Sequence, residues 1–257
     1  MLSKVLILAD SLALPREGAD DIPYESTYPY LLEERLRRHY RVPPIILERG
    51  MRRRTIEYVL DEWFELVELR TPDLIIIHVG IVDCAPRIFL RRERQFVEGL
   101  RWRRLRESIL KFVHQHRAWI IRTRRRVYVP LDRFRPLVQN VVDKARQQKT
   151  PVVFVNIIEP TDEIEKRSPG FQENVRLYNQ VLAGHADGQH VLLVDLNSIV
   201  IEHGSAQMLT ADGIHIDRQG HELLAGELEK IIHQFLQPQT ESAELATPAG
   251  DTLWETA

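Results

Sequence analysis

Cysteine is nearly absent from this chain: Cys84 is the only one in 257 residues. Neither an internal disulfide nor a four-cysteine zinc site can therefore form. No stretch approaches the roughly eighteen uninterrupted apolar residues that a membrane-spanning helix needs. The early apolar run Val5-Leu6-Ile7-Leu8 is too short for the core of a secretory leader, and no small-residue cleavage site follows it. The histidines are scattered, and His114-x-His116 has no further ligands at a metal-binding spacing. These absences lead to the expectation of a soluble, cytoplasmic protein with no metal and no other cofactor. Internal repeats are missing too. A composition of 44% hydrophobic and 28% charged residues excludes wholesale disorder and fibrous architecture.

What the chain does contain is an alternation of two periodicities. Lys4–Leu8 reads as a buried strand. Thr27 is predicted to cap a helix with Tyr28, Leu31, Leu32 and Leu36 on one face. Val42–Leu47 reads as a second strand, with Pro43-Pro44 at its start or on an edge. Ile56, Val59, Leu60, Trp63, Phe64 and Val67 form a helical stripe stopped by Pro72, and the aliphatic Leu74–Val79 suits a central parallel strand. A helix from Phe134 to Ala145 feeds the strand Val152–Ile157. A helix carrying Val175, Tyr178, Val181 and Leu182 feeds Val191–Asp195, and a final helix runs from about His221 to Leu236. Such alternation predicts a three-layer α/β/α sandwich around a mostly parallel, flavodoxin-like sheet. The folded domain is placed at residues 1–236. Residues 237–257 carry four acids and no Lys or Arg, and are expected to be a disordered acidic tail.

The net charge of −2 conceals an uneven distribution. From Arg87 to Arg126 there are fourteen Lys and Arg against three acids, or +11, which leaves 21 basic against 34 acidic residues, or −13, elsewhere. Leu105, Ile109, Phe112 and Val113 give this basic stretch helical character, and it is read as an insertion over about 87–130. Two readings stand. Its arginines pair with the acidic body, or they meet an anionic ligand or surface such as an acidic glycan, an acyl carrier or phospholipid. Trp102, Trp119 and Tyr128 could then stack on sugars or bases. No recognised nucleic-acid-binding motif accompanies the charge.

In open parallel sheets, ligands gather beyond the carboxyl ends of the strands. The first strand ends in Ala9-Asp10-Ser11, which places Ser11 where a nucleophile is exposed. Before the last helix, Asp212 and His215 share one short turn in Thr210-Ala211-Asp212-Gly213-Ile214-His215, so the carboxylate can orient an imidazole that activates a serine. Cys84 reads as a small buried residue, with no base beside it.

These blocks resemble those of the SGNH (GDSL-type) hydrolases. Ala9-Asp10-Ser11-Leu12 is similar to Gly-Asp-Ser-Leu, and Gly50 stands where the family has its oxyanion-hole glycine. Gly80-Ile81-Val82-Asp83 is similar to Gly-x-Asn-Asp, with Val at the Asn position, and Asp212-Gly213-Ile214-His215 matches Asp-x-x-His. Asp217-Arg218-Gln219-Gly220-His221 resembles the lead-in to the family's final helix, and Tyr178-Asn179-Gln180-Val181-Leu182 its late helix. The resemblance covers roughly residues 4 to 236 and implies a serine esterase acting on an acetyl or short acyl ester, on a carbohydrate. Ser11 would be the nucleophile, His215 the base and Asp212 its orienting acid, with an acyl-enzyme between two half-reactions. Gly50, Gly80, Val82, Asp83, Arg16 and Arg87 are the expected oxyanion and substrate-binding residues, although Asp83 can equally lock its loop by bonding backbone amides. Val82 cannot donate a hydrogen bond, and either arginine could substitute. Two alternatives use the same scaffold: an acyltransferase, and a catalytically silent protein that binds an anionic partner.

Overall fold

Five strands form one parallel sheet in the order β2-β1-β3-β4-β5. They are Lys4–Ala9 (β1), Ile45–Gly50 (β2), Leu74–His78 (β3), Val152–Val155 (β4) and Val191–Val194 (β5). This computed structural model describes residues 2–18, 20–204 and 208–236. The tail expected over 237–257 lies outside the described residues.

The central strands are aliphatic because both their faces are covered. Alternate residues of β1 serve opposite layers: Leu6 and Leu8 join Ile75, Ile77 and Phe154 in one core, while Val5, Ile7 and Ala9 join Leu74, Ile76 and Val153 in the other. The first core is closed by helices α2 (Ile56–Asp61), α7 (Leu131–Gln147) and α9 (Phe171–Ala183), which supply Val59, Phe134, Val138, Val175 and Tyr178. The second is closed by α1 (Tyr28–His39), α10 (Leu196–Glu202) and α11 (Arg218–Leu236). Complete burial of each such Val, Leu, Ile or Phe contributes about 1.5–3 kcal/mol relative to exposure. The three-layer α/β/α architecture read from the sequence is the observed one.

Element boundaries shift for local reasons. Strand β2 begins at Ile45 rather than Val42, because Pro43 and Pro44 have no N–H to give; Ile45 makes the first bond, its N–H reaching the Ser3 carbonyl at 2.8 Å. Thr27 sits at the N-cap of α1, but its hydroxyl donates to the Tyr24 carbonyl at 2.7 Å. The free Tyr28 N–H at that end is accepted by His221 Nδ1 at 3.1 Å, which ties α1 to α11. The stripe from Ile56 to Val67 divides into α2 and a wider π-type turn, Phe64–Glu68, with Leu66 and Val67 buried and Phe64 exposed. Within the basic stretch lie three helices after the short α3 (Ile81–Cys84): α4 (Arg91–Glu98), α5 (Arg103–Gln115) and α6 (Arg117–Arg124). A further short helix, α8 (Asp162–Arg167), follows β4.

Phe134 is fully buried, with its ring 4.6 Å from that of Tyr178. Replacing Phe134 with Ala is expected to lower unfolding free energy by about 3–5 kcal/mol through lost transfer energy and a residual cavity. Val42→Ala, at a position 81% exposed, is expected to change it by less than about 0.5 kcal/mol. Urea titrations of the two variants measure the contrast, and similar midpoints would contradict this placement of the core.

Candidate active site

A sheet of order 2-1-3-4-5 reverses direction between β1 and β3, and the crevice outside that switch point is where such sheets bind ligands. Here the strand ends Ala9, Gly50 and His78 stand abreast. The Asp10 N–H makes a last bond to the His78 carbonyl at 3.1 Å, and the chain then turns through one tight helical turn, Ser11–Ala13. Asp10 Oδ1 accepts the Leu12 N–H at 2.9 Å and fixes that turn. Ser11 is thereby the first partly exposed residue after a fully buried run.

The partner loop is built on Asp212. Its Oδ1 accepts the Thr210 hydroxyl at 2.8 Å and the N–H groups of Ile214 and His215, both at 3.0 Å. Gly213 has φ +68°, and a Cβ there would lie 2.4 Å from Thr161 Oγ1, so the turn requires glycine on two counts. The result is a relay: His215 Nδ1 lies 2.7 Å from Asp212 Oδ2, and His215 Nε2 lies 3.0 Å from Ser11 Oγ. With Nδ1–H given to the carboxylate, Nε2 is free to accept the serine proton. Partial burial alone would raise the Asp212 carboxyl, but the bonds from His215's side chain and backbone outweigh it and hold the acid far below the usual carboxylate range. Arg16 Nη2 reaches the same Oδ2 at 2.8 Å while its Nε donates to Asp20 at 2.9 Å.

An open cleft of about 1120 Å³ surrounds this pair. Ser11, Asp212, His215, Val82, Arg16 and Arg87 all line it. Gly50, Gly80 and Asp83 are not among the residues that line it. Gly50 is paired with Ala9 at the end of the sheet, where a Cβ would meet Leu14 Cδ2 at 2.7 Å. Gly80 has φ +130° and starts α3, with Ile157 Cδ1 2.7 Å from where a Cβ would be. Asp83 is buried and accepts the Ile56 N–H at 3.0 Å, the loop-locking alternative. Neither arginine is idle: Arg16 is held by two carboxylates, and Arg87 Nη2 donates to the Val82 carbonyl at 3.0 Å. Cys84 is buried, as expected, and burial pushes its thiol well up.

Arg53 was invisible to pattern reading, since it sits in a run of three arginines. It lines the cleft and holds φ +64°, a left-handed conformation that a non-glycine residue rarely adopts. Among the described residues, neither its N–H nor that of Ser11 donates to another protein group. A second unanticipated cluster lies away from the cleft: His39, Glu229 and His233 bring ligand atoms within 4.8 Å of one another. Glu229 is already paired there with Arg35 at 3.3 Å and with His39 at 2.7 Å.

A serine, an imidazole and a carboxylate aligned at the switch point of a doubly wound sheet define a serine-hydrolase type of site. The GDSL-like lipase/acylhydrolase family model matches residues 10–223, and the chain belongs to that family of acylhydrolases. In fold it resembles a lipase/acylhydrolase from Enterococcus faecalis, with a TM-score of 0.63 at 17% identity over 93% of this chain and 99% of that one. An acetylxylan esterase from Geobacillus stearothermophilus gives 0.57 at 17%, covering 90% and 94%. The psychrotrophic esterase EstA from Pseudoalteromonas sp., inhibited by monoethylphosphonate in its structure, gives 0.55 at 14%, covering 91% and 98%. A search of curated proteins returned no match. No helix among the described residues is long and apolar enough to cross a membrane.

Two buried carboxyls lie behind the site. Burial, against the Leu12 amide and Arg54, raises Asp10 to about 7; burial, with Asp10's charge adding to it, raises Asp83 to about 8. Both therefore bind protons more tightly in the folded chain than at their ordinary value of 3.8. Stability from this source is full at low pH and is lost as pH rises through those folded values. Asp83→Asn removes one ionisation and its repulsion of Asp10. Relative to wild type, the variant is expected to gain stability as pH is raised from about 5 to 9, read from urea midpoints across that window. Parallel curves for the two proteins would show that Asp83 is not held protonated.

Proposed function

We propose that this acylhydrolase cleaves an acetyl or short acyl ester through Ser11, with His215 as general base and Asp212 fixing the imidazole. The observation that carries the reading is the 3.0 Å contact between Ser11 Oγ and His215 Nε2. In the first half-reaction Ser11 Oγ attacks the ester carbonyl, its proton passes to His215 Nε2, and His215 returns that proton to the departing alcohol. Water, deprotonated by the same nitrogen, then releases the acid from the acyl-enzyme. Asp212, ionised throughout, stabilises the imidazolium in both halves. The free N–H group of Ser11 is suited to receive the oxyanion.

A carbohydrate as the alcohol is supported by the acetylxylan esterase among the structural relatives. The basic stretch Arg87–Arg126 suits an anionic ligand or surface. Its own acids take three of its arginines, in the pairs Arg94–Glu98, Arg103–Glu107 and Arg126–Glu93. An acyltransferase would differ only in which hydroxyl meets the acyl-enzyme. The silent-binder reading gains from Val82 but loses to the aligned Ser11 and His215.

Fluorophosphonate labelling tests for an activated serine, and Ser11→Ala is expected to abolish both labelling and hydrolysis of 4-nitrophenyl acetate. His215→Ala should reduce turnover by about 10⁴-fold or more, and the double variant should be little worse than either single one, since these groups act as a unit. Wild-type turnover by purified Ser11→Ala would sink the mechanism.

Val82 lines the cleft without a donor, while Arg16 and Arg87 are held by Asp212, Asp20 and the Val82 carbonyl. Val82→Asn is therefore expected to raise kcat on simple esters, by up to about 10²–10³-fold if its amide reaches the oxyanion. An unchanged or lowered kcat would mean that the donor set is already complete.

A further inference from the structure

Within the basic stretch, ion pairing runs opposite to what desolvation predicts. Arg94 and Arg103, whose side chains are half or more exposed, have carboxylate partners. Arg87 and Arg117, which are shielded, have none within 4.0 Å among the described residues. Water can solvate the first two, whereas a shielded guanidinium cannot shed its proton and is costly without an anion.

Three arginines from separate elements line the cleft within reach of one another's charge: Arg87 after α3, Arg117 at the start of α6 and Arg167 at the end of α8. Arg87 stacks on Tyr128, its guanidinium carbon 4.3 Å from the ring centre, and its Nε is buried without a partner. Arg117 points Nε and Nη2 at one neutral oxygen, Ser168 Oγ, at 3.3 and 2.9 Å. Burial works against the charge on Arg87, with Arg117 adding repulsion; burial and then Arg167 do the same to Arg117. Planar forks held by stacking and by a hydroxyl are preorganised, and a group with several anionic oxygens satisfies more than one of them at once. Arg52 and Arg53 line the same cleft, again with no carboxylate partner among the described residues.

We propose that Arg87, Arg117 and Arg167 form a subsite for an anionic oxygen group carried by the ester, phosphate-like in its chemistry, so that the enzyme selects charged esters over neutral ones. The proposal rests on hydrolysis at Ser11 and adds the class of substrate.

Two measurements separate the subsite from the hydrolysis. In the first, inorganic phosphate is titrated calorimetrically into Ser11→Ala protein at low ionic strength. Saturable binding is expected, weakening with added salt and weakening about tenfold in Arg167→Gln or Arg117→Gln. Arg103→Gln, on an exposed helix face, should bind as the parent does. Arg167 is exposed, so its substitution keeps the test valid if Arg117→Gln fails to fold. In the second, kcat/KM is compared within two matched pairs. Acetylglycerol against acetylglycerol phosphate puts the anion on the alcohol, and 4-nitrophenyl acetate against 4-nitrophenyl hydrogen succinate puts it on the acyl group. One anionic ester should exceed its neutral counterpart by about tenfold or more, and the arginine variants should erase that ratio. Absence of phosphate binding, or binding indifferent to Arg117 and Arg167, overturns the subsite. Phosphate binding with both ratios at or below one overturns its role toward substrate. If no ester is hydrolysed at all, the mechanism at Ser11 fails, and the titration still decides the subsite.

Discussion

The carboxylate of Asp212 gathers five donors: the Thr210 hydroxyl, the Ile214 and His215 amides, His215 Nδ1 and Arg16 Nη2. Three of these shape its own loop, one sets the imidazole, and one belongs to the loop that follows the nucleophile. The alignment of His215 with Ser11 therefore depends on a single carboxylate whose bonds hold it ionised far below the usual range. The ends of β1 and β3 supply the other half of the constraint. They fix where Ser11 emerges, and the Asp10 side chain holds the turn that presents it.

Much of this was legible in the chain. The sheet could be read because β1, β3 and β4 are buried on both faces, and continuous aliphatic runs are what such strands must be. Ser11, Asp212 and His215 could be read because each stands just outside a periodic segment, where the chain reaches the mouth of the sheet. Gly50 and Gly80 could not be placed from pattern alone. A glycine permits either a bare approach to a ligand or a close approach of protein to protein, and here Leu14 and Ile157 occupy that space. Arg53 left no trace in the sequence, since a left-handed conformation is a property of the loop around it rather than of arginine.

The basic stretch shows the same limit in electrostatics. Counting charges identified an excess of cations but not its division. Glu98 and Glu107 pair with arginines of their own helices, α4 and α5, and Glu93 of α4 pairs with Arg126 after α6. Of the arginines that remain, Arg87 and Arg117 line the cleft, and the stretch's Trp102 and Trp119 stay 76% and 64% exposed. The acidic body takes no part in this pairing among the described residues, so the charge asymmetry of the chain is retained in the fold.

The site also joins the two ends of the described chain. Ser11 follows the first strand, His215 precedes α11, and the Tyr28 amide rests on His221 in that helix. During synthesis Ser11 is made 204 residues before His215, and α1 waits for the helix that accepts its first amide. A nascent chain thus carries Ser11 without its histidine until residue 215 has left the ribosome and α11 has docked. The Ser11–His215 contact in this architecture is a report that translation has passed α11.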